Sequence, residues 1–211
     1  MKRVLVTLAV GSLAVLATAC STEDGQAEPQ GSPTAEASSA PASSGAPSEL
    51  PHSGAPAVHN PLPESVVSGD PCQALTPEQV KTALGDGVSQ GQRSDVEELG
   101  ARCRWSHSSN QSAITVGFQT ETGQGLSAVY ANTQPRMPVF NEIDPIEGYP
   151  AVEFKESDTD PMCTTMVGIA DEYAISVSGT LGADAEQEGK DSCKPGQQVA
   201  SWVVANLKAQ S

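Results

Sequence analysis

Apolar residues fall into three regimes along this chain. Residues 4–16 form an unbroken stretch without a charge, residues 21–68 show no periodicity, and from about residue 69 runs of period two and period 3.6 follow one another. The last regime predicts strands and helices. Thr76-Pro77-Glu78-Gln79-Val80 reads as a helix start. Thr76 suits the N-cap, Pro77 suits the first position, where a missing N–H costs nothing, and Gln79 completes a capping box. Val80, Ala83 and Leu84 share one face, and Gly85 can end the helix. Ala101, Cys103 and Trp105 alternate along one strand; Ile114, Val116 and Phe118 alternate along the next, with His107-Ser108-Ser109-Asn110 as the loop between. Leu126, Val129 and Tyr130 have helical spacing ahead of Pro135. Val152 and Phe154 mark a strand after the Gly148-Tyr149-Pro150 turn. Residues 162–170 and 173–178 read as a strand pair around Asp171-Glu172. Val199, Trp202, Val203 and Leu207 form the stripe of a closing helix that starts near Lys194-Pro195. This order predicts an α+β domain: a single antiparallel sheet covered by helices on one face.

The amino terminus bears on location. Met1-Lys2-Arg3 is a short positive region, and the apolar stretch after it is too short for a bilayer, which takes roughly 20 residues. It suits the core of a secretory signal over residues 1–19, with Ala17-Thr18-Ala19 as the small residues before a cut. Cys20 stands at the junction with a polar run. The segment Leu16-Ala17-Thr18-Ala19-Cys20 resembles a bacterial lipobox, with Ala17 where leucine is commonest. The resemblance implies a diacylglyceryl group on Cys20 and cleavage before it, hence a chain held on the extracytoplasmic face of the cell membrane. Two acyl chains give stable anchoring where one is marginal.

Composition refines this picture. The full chain carries 11 Lys+Arg and 26 Asp+Glu, a net charge of −15, and cleavage at Cys20 would remove two cations and no acid. So acidic a chain repels phosphate backbones, which speaks against nucleic acid as a partner. Of the 48 residues 21–68, 30 are Ser, Pro, Ala or Gly, and none is aromatic, Lys or Arg. Such a segment buries too little apolar surface to offset chain entropy, so residues 20–68 are expected to be a lipidated cysteine and a disordered tether, with His52 and His59 as solvated residues in it. All eight aromatic residues lie between Trp105 and Trp202, which places the folded domain at residues 69–211.

Beyond Cys20 the cysteines are Cys72, Cys103, Cys163 and Cys193. An even number in an exported domain predicts two disulfides. Of the three pairings, Cys72–Cys103 and Cys163–Cys193 are expected, because each would tie the entrance of a flanking helix to a strand. A metal site is disfavoured by the lack of any Cys-x-x-Cys. The run Asp70-Pro71-Cys72-Gln73-Ala74-Leu75-Thr76-Pro77-Glu78-Gln79-Val80, then Cys103-Arg104-Trp105, Gly148-Tyr149-Pro150-Ala151, Cys163, and Cys193 with Ala200 and Val203, resembles a family of actinobacterial cell-envelope lipoproteins built on a domain of unknown function. The resemblance implies location and disulfides. It brings no activity, cofactor or catalytic residue.

A search for chemistry returns little. Gly125-Leu126-Ser127-Ala128-Val129 lacks the second glycine of a nucleophile elbow, and His107, the one histidine after residue 68, is flanked by Ser106 and Ser108, which as sequence neighbours are poor triad partners. No phosphate loop is present. Carboxylates gather at Glu97-Glu98, at Glu142, Asp144 and Glu147, and at Glu156-x-Asp158-x-Asp160. The last faintly resembles the start of a calcium loop but lacks its glycine and distal glutamate. No cofactor and no catalytic residue are expected. The expected function is non-enzymatic binding of an unknown ligand or envelope protein by a membrane-anchored domain. The alternatives are an accessory or sensory subunit of a membrane complex and, less favoured, a cell-wall hydrolase using a carboxylate pair.

Overall fold

The computed structural model describes residues 49–211; residues 1–19, Cys20 and the tether up to residue 48 lie outside the described residues. Seven antiparallel strands form one sheet in the order β1-β2-β3-β7-β6-β5-β4. They are β1 (Gln92–Val96), β2 (Gly100–Ser106), β3 (Ala113–Gln119), β4 (Val139–Ile146), β5 (Tyr149–Lys155), β6 (Met162–Gly168) and β7 (Ala174–Thr180). The α-helices are α1 (Pro77–Leu84), α2 (Gly125–Asn132), α3 (Ala183–Gln187) and α4 (Cys193–Lys208). Among the described residues no helix is long and apolar enough to cross a membrane.

Helix α1 begins as its sequence predicts. The Thr76 side chain accepts from the Gln79 backbone N–H, and the Gln79 side chain accepts from that of Thr76. On α4, Val199, Ala200, Val203, Val204 and Leu207 are buried in one cluster with Val116, Val167, Ile175 and Val177 of the sheet. Trp202 sits at the edge of that cluster, only partly buried. Gly196 lets the helix come this close: a Cβ there would lie 3.1 Å from Thr165 Oγ1. Asn206 ties α4 to α1 by donating to Ala74 O (2.9 Å) and Gln79 Oε1 (2.8 Å).

Both expected disulfides are present, Cys72–Cys103 and Cys163–Cys193, closing separations of 31 and 30 residues. The first joins the short 3-10 helix Pro71–Gln73 to β2, and the second joins the start of α4 to β6. Gly91 passes over the first. A Cβ there would lie 2.8 Å from both Cys103 Sγ and Trp105 Nε1.

Three expectations need correction. The sheet has two strands more than the sequence predicts, and both are edges. β1 (Gln-Arg-Ser-Asp-Val) carries almost no apolar signal, and β4 contains Pro145, with a register shift between Ile143 and Ile146. Edge strands tolerate charge, proline and bulges because one side pairs with nothing.

The helices do not all lie on one face. Side chains alternate along a strand. Val167, Ile175 and Val177 face α4, whereas Met166, Ala174 and Val152 cluster with Leu126, Val129 and Tyr130 of α2 on the opposite face.

The folded unit also begins before residue 69. Val58, Leu62, Val66 and Val67 are buried, Glu64–Val67 forms a 3-10 helix, and Leu62 N–H donates to Ile169 O at 2.9 Å. A proline-rich composition lowers the entropy lost on ordering. Four aliphatic residues spaced along such a segment are enough to dock it.

Candidate ligand-binding face

The face opposite α4 is only partly covered. Strand register lines up its side chains in two rows across all seven strands. One row runs Gln92, Arg104, Thr115, Ser178, Thr164, Phe154, Phe140; the other runs Ser94, Arg102, Gly117, Ser176, Met166, Val152, Glu142. Each row is about 29 Å long at the usual strand spacing. The polar centre is internally bonded: Thr164 and Ser178 hydroxyls meet at 2.8 Å, and Gln119 donates to Ser176 Oγ at 3.0 Å. At the β4 end Phe140 and Phe154 stack with centroids 6.2 Å apart, both half-buried.

Helix α2 roofs part of this face. It is pinned by Tyr130, whose ring meets Phe140 edge-on and whose phenol donates to Glu142 Oε1 at 2.9 Å. Burial, then that hydrogen bond and the Glu142 charge, hold the Tyr130 phenol well above its ordinary range, so it stays a neutral donor. Between helix and sheet lies a hollow of about 580 Å³, lined by Ser176, Ser178, Thr164, Met166 and Phe154 below and by Asn132, Thr133 and Arg136 above, with Glu98 the one acid in its lining.

Charge is distributed unevenly between the faces. Arg93 points to the α4 side, where Asp95 (2.9 Å) and Asp70 (3.7 Å) pair with it. Arg102 and Arg104 point to the open face and donate to hydroxyls, Ser94 Oγ at 2.9 Å and Thr115 Oγ1 at 3.5 Å. Among the described residues Arg102, Arg104 and Arg136 make no ion pair.

A second hollow of about 730 Å³ lies at the end of the domain between α1, α3 and the start of α4. Its floor is Leu84, Ile114 and Leu181; its rim mixes Asp184, Glu188 and Asp191 with Lys190 and Lys194. Glu188 is paired to Lys190 at 2.9 Å, and Asp191 accepts from Cys193 N–H at 2.9 Å. Glu188, Lys190 and Asp191 are thus already engaged within the domain, so the open face, with its arginines free of ion pairs, is the better-defined candidate.

Other residues singled out by sequence have structural roles. His107 bridges two loops, Nε2–H donating to Asp86 O and Nδ1 accepting from Ser109 Oγ at 3.0 Å. Asp160 accepts from the backbone N–H groups of Glu156 (3.2 Å) and Met162 (2.9 Å), so the run that resembles a calcium loop is closed on itself. The one metal-like group found among the described residues is Glu153 with Cys163 and Cys193, their ligand atoms within 4.8 Å. Its sulfurs are bonded to each other, so it offers a single carboxylate and no thiolate. The four disulfide cysteines and Cys20 were the only site residues the sequence named; the arginine and hydroxyl rows were missed. Their only signal was that Arg102 and Arg104 alternate with the apolar Ala101, Cys103 and Trp105.

A family model described as "Protein of unknown function (DUF3558)" matches residues 15–206. No curated protein and no solved structure matches the chain.

Proposed function

We propose that this chain, which belongs to the DUF3558 family of proteins of unknown function, is a lipid-anchored extracytoplasmic binding protein that engages a ligand or envelope partner on the open face of its sheet and does no chemistry on it. The observation that carries the reading is the open face itself. An antiparallel sheet commonly leaves one face to water, and a merely solvated face in so acidic a chain would carry acids or ion pairs. Here the acids are Glu142, engaged by Tyr130, and Glu98 at the hollow, and beside them stand three arginines without an ion pair, a line of hydroxyls, two half-buried phenylalanines and a roofed hollow.

The anchor follows from the amino-terminal sequence. Signal cleavage before Cys20 and diacylglyceryl transfer to it would leave 28 residues between the lipidated cysteine and the first described residue. Fully extended, that length reaches roughly 95 Å, enough to hold the domain clear of lipid headgroups.

Intact mass of the protein purified from its own membranes tests the anchor. A mass that starts at Cys20 with a diacylglyceryl adduct and gains about four hydrogens on reduction is expected. An unmodified mass would mean a freely secreted protein and would overturn the anchored reading.

A further inference from the structure

We infer that the ligand of the open face is an acidic glycan, a hydroxyl-rich polymer bearing carboxylate or phosphate groups, laid across the strands along the Arg104–Phe154 row. This rests on the reading of that face as the binding surface, and names the class of ligand it takes.

The first argument is charge. In a chain of net charge −15, an arginine with no acid beside it is unexpected, since acids outnumber cations by more than two to one. The single arginine on the α4 side is paired twice. On the open side Arg102 is held on Ser94 through Nε and Arg104 on Thr115 through one Nη at 3.5 Å, and none of the three has a carboxylate on its fork. A guanidinium fork matches carboxylate or phosphate oxygens two at a time. Repulsion from the rest of the acidic surface is screened beyond about 8 Å at physiological ionic strength, whereas contacts on the row act at hydrogen-bond distance.

The second argument is the middle of the row. Thr115, Ser178 and Thr164 stand side by side on three neighbouring strands. Each hydroxyl both donates and accepts, as do the hydroxyls of a sugar, so either partner can reverse its role. The third is the far end, where half-buried Phe154 offers an apolar surface to the C–H face of a sugar ring. An acidic peptide fits less well. Its backbone would seek the free edge of β1 or β4, along the strands, whereas this row runs across them. A nucleic acid would need many more cations than three.

The test measures binding of the detergent-solubilised full chain by calorimetry. The probes are oligogalacturonate, phosphorylated dextran, neutral dextran of matched length and polyglutamate. Hydrogen exchange locates the contact. Binding to one or both acidic glycans, with protection in β3, β7 and β6, is expected. Arg102→Gln/Arg104→Gln should weaken it about tenfold or more, the loss of one charge-assisted hydrogen bond, with no change in the unfolding midpoint. The carboxylate and phosphate probes tell the two acidic groups apart. Neutral dextran binding equally at the same strands would overturn the acidic ligand and leave the face as the binding surface. Equal binding of polyglutamate would overturn the glycan in favour of a peptide. Acidic-glycan binding that the double variant leaves unchanged would place the contact elsewhere and overturn the inference, as would binding of none of the four probes. The occupancy of the face in cells is measured separately and does not depend on these probes.

Discussion

A chain beginning at Gly69 is expected to lose its cooperative unfolding transition, although it keeps every strand, every α-helix and both disulfides. The residues removed look dispensable by composition. Yet Val58, Leu62, Val66 and Val67 are all buried in the cluster that joins α4 to the sheet. Burying one Val or Leu side chain is worth roughly 1.5–3 kcal/mol, so four amount to roughly 6–12 kcal/mol as an upper estimate. That matches the whole stability of an ordinary domain, about 5–15 kcal/mol. Polar partners are lost too. Val58 N–H donates to Asp171 Oδ1 at 2.9 Å, and the Tyr173 phenol donates to Leu62 O at 2.8 Å. Circular dichroism during urea unfolding, comparing chains that begin at Glu49 and at Gly69, reads the effect directly. The longer should unfold in one transition; the shorter should show none. Equal midpoints would mean that the segment only rests on the domain.

Loss of the Cys163–Cys193 bond is the second large effect. In the chain-entropy model, a loop of 30 residues is worth roughly 3–4 kcal/mol. Both cysteines are buried, so Cys163→Ala/Cys193→Ala leaves no new polar group inside. The bond holds the first turn of α4 onto β6, and α4 supplies five of the buried aliphatic and alanine positions of the main cluster. Guanidinium unfolding should show the double variant less stable by about that 3–4 kcal/mol, near the value for wild type under reductant once the second bond is also allowed for. The Cys72–Cys103 pair closes a loop of almost the same length, so its alanine pair should cost about the same. A loss below about 1 kcal/mol for either pair would mean that the folded state is strained to make the bond.

Much of the fold was legible because local chemistry and tertiary packing agree. The α1 capping box, the alternation of β2 and β3, the stripe of α4 and the two cysteine pairings all stand where the sequence put them. What was not legible has a common cause. Edge strands β1 and β4 take their place by pairing with one neighbour, and so need no hydrophobic pattern of their own. The residues before Gly69 dock through a few aliphatic side chains spaced too irregularly to register as an element. The face that α2 chooses depends on a tertiary match, Leu126 against Gly168, where a Cβ would sit 2.9 Å from the leucine. The candidate face is the least legible part. Arg104, Thr115, Ser178 and Thr164 come from four strands, and only the register of the finished sheet sets them in line. The net charge gives no hint of it either, because a total does not say that Arg102, Arg104 and Arg136, the arginines without an ion pair among the described residues, lie on one side.

The central claim is that this face is occupied in the envelope, and one measurement addresses it most directly. The described native cysteines are all in disulfides, so a single Ser178→Cys substitution places a thiol reporter in the hollow beneath α2. Gln187→Cys, on exposed α3, serves as the control. Labelling by a membrane-impermeant maleimide is compared between intact cells and purified protein. The account predicts that Gln187→Cys labels equally in both, and that Ser178→Cys labels several-fold more slowly in cells. Equal rates for Ser178→Cys in cells and in solution would show an empty face and contradict the proposed function.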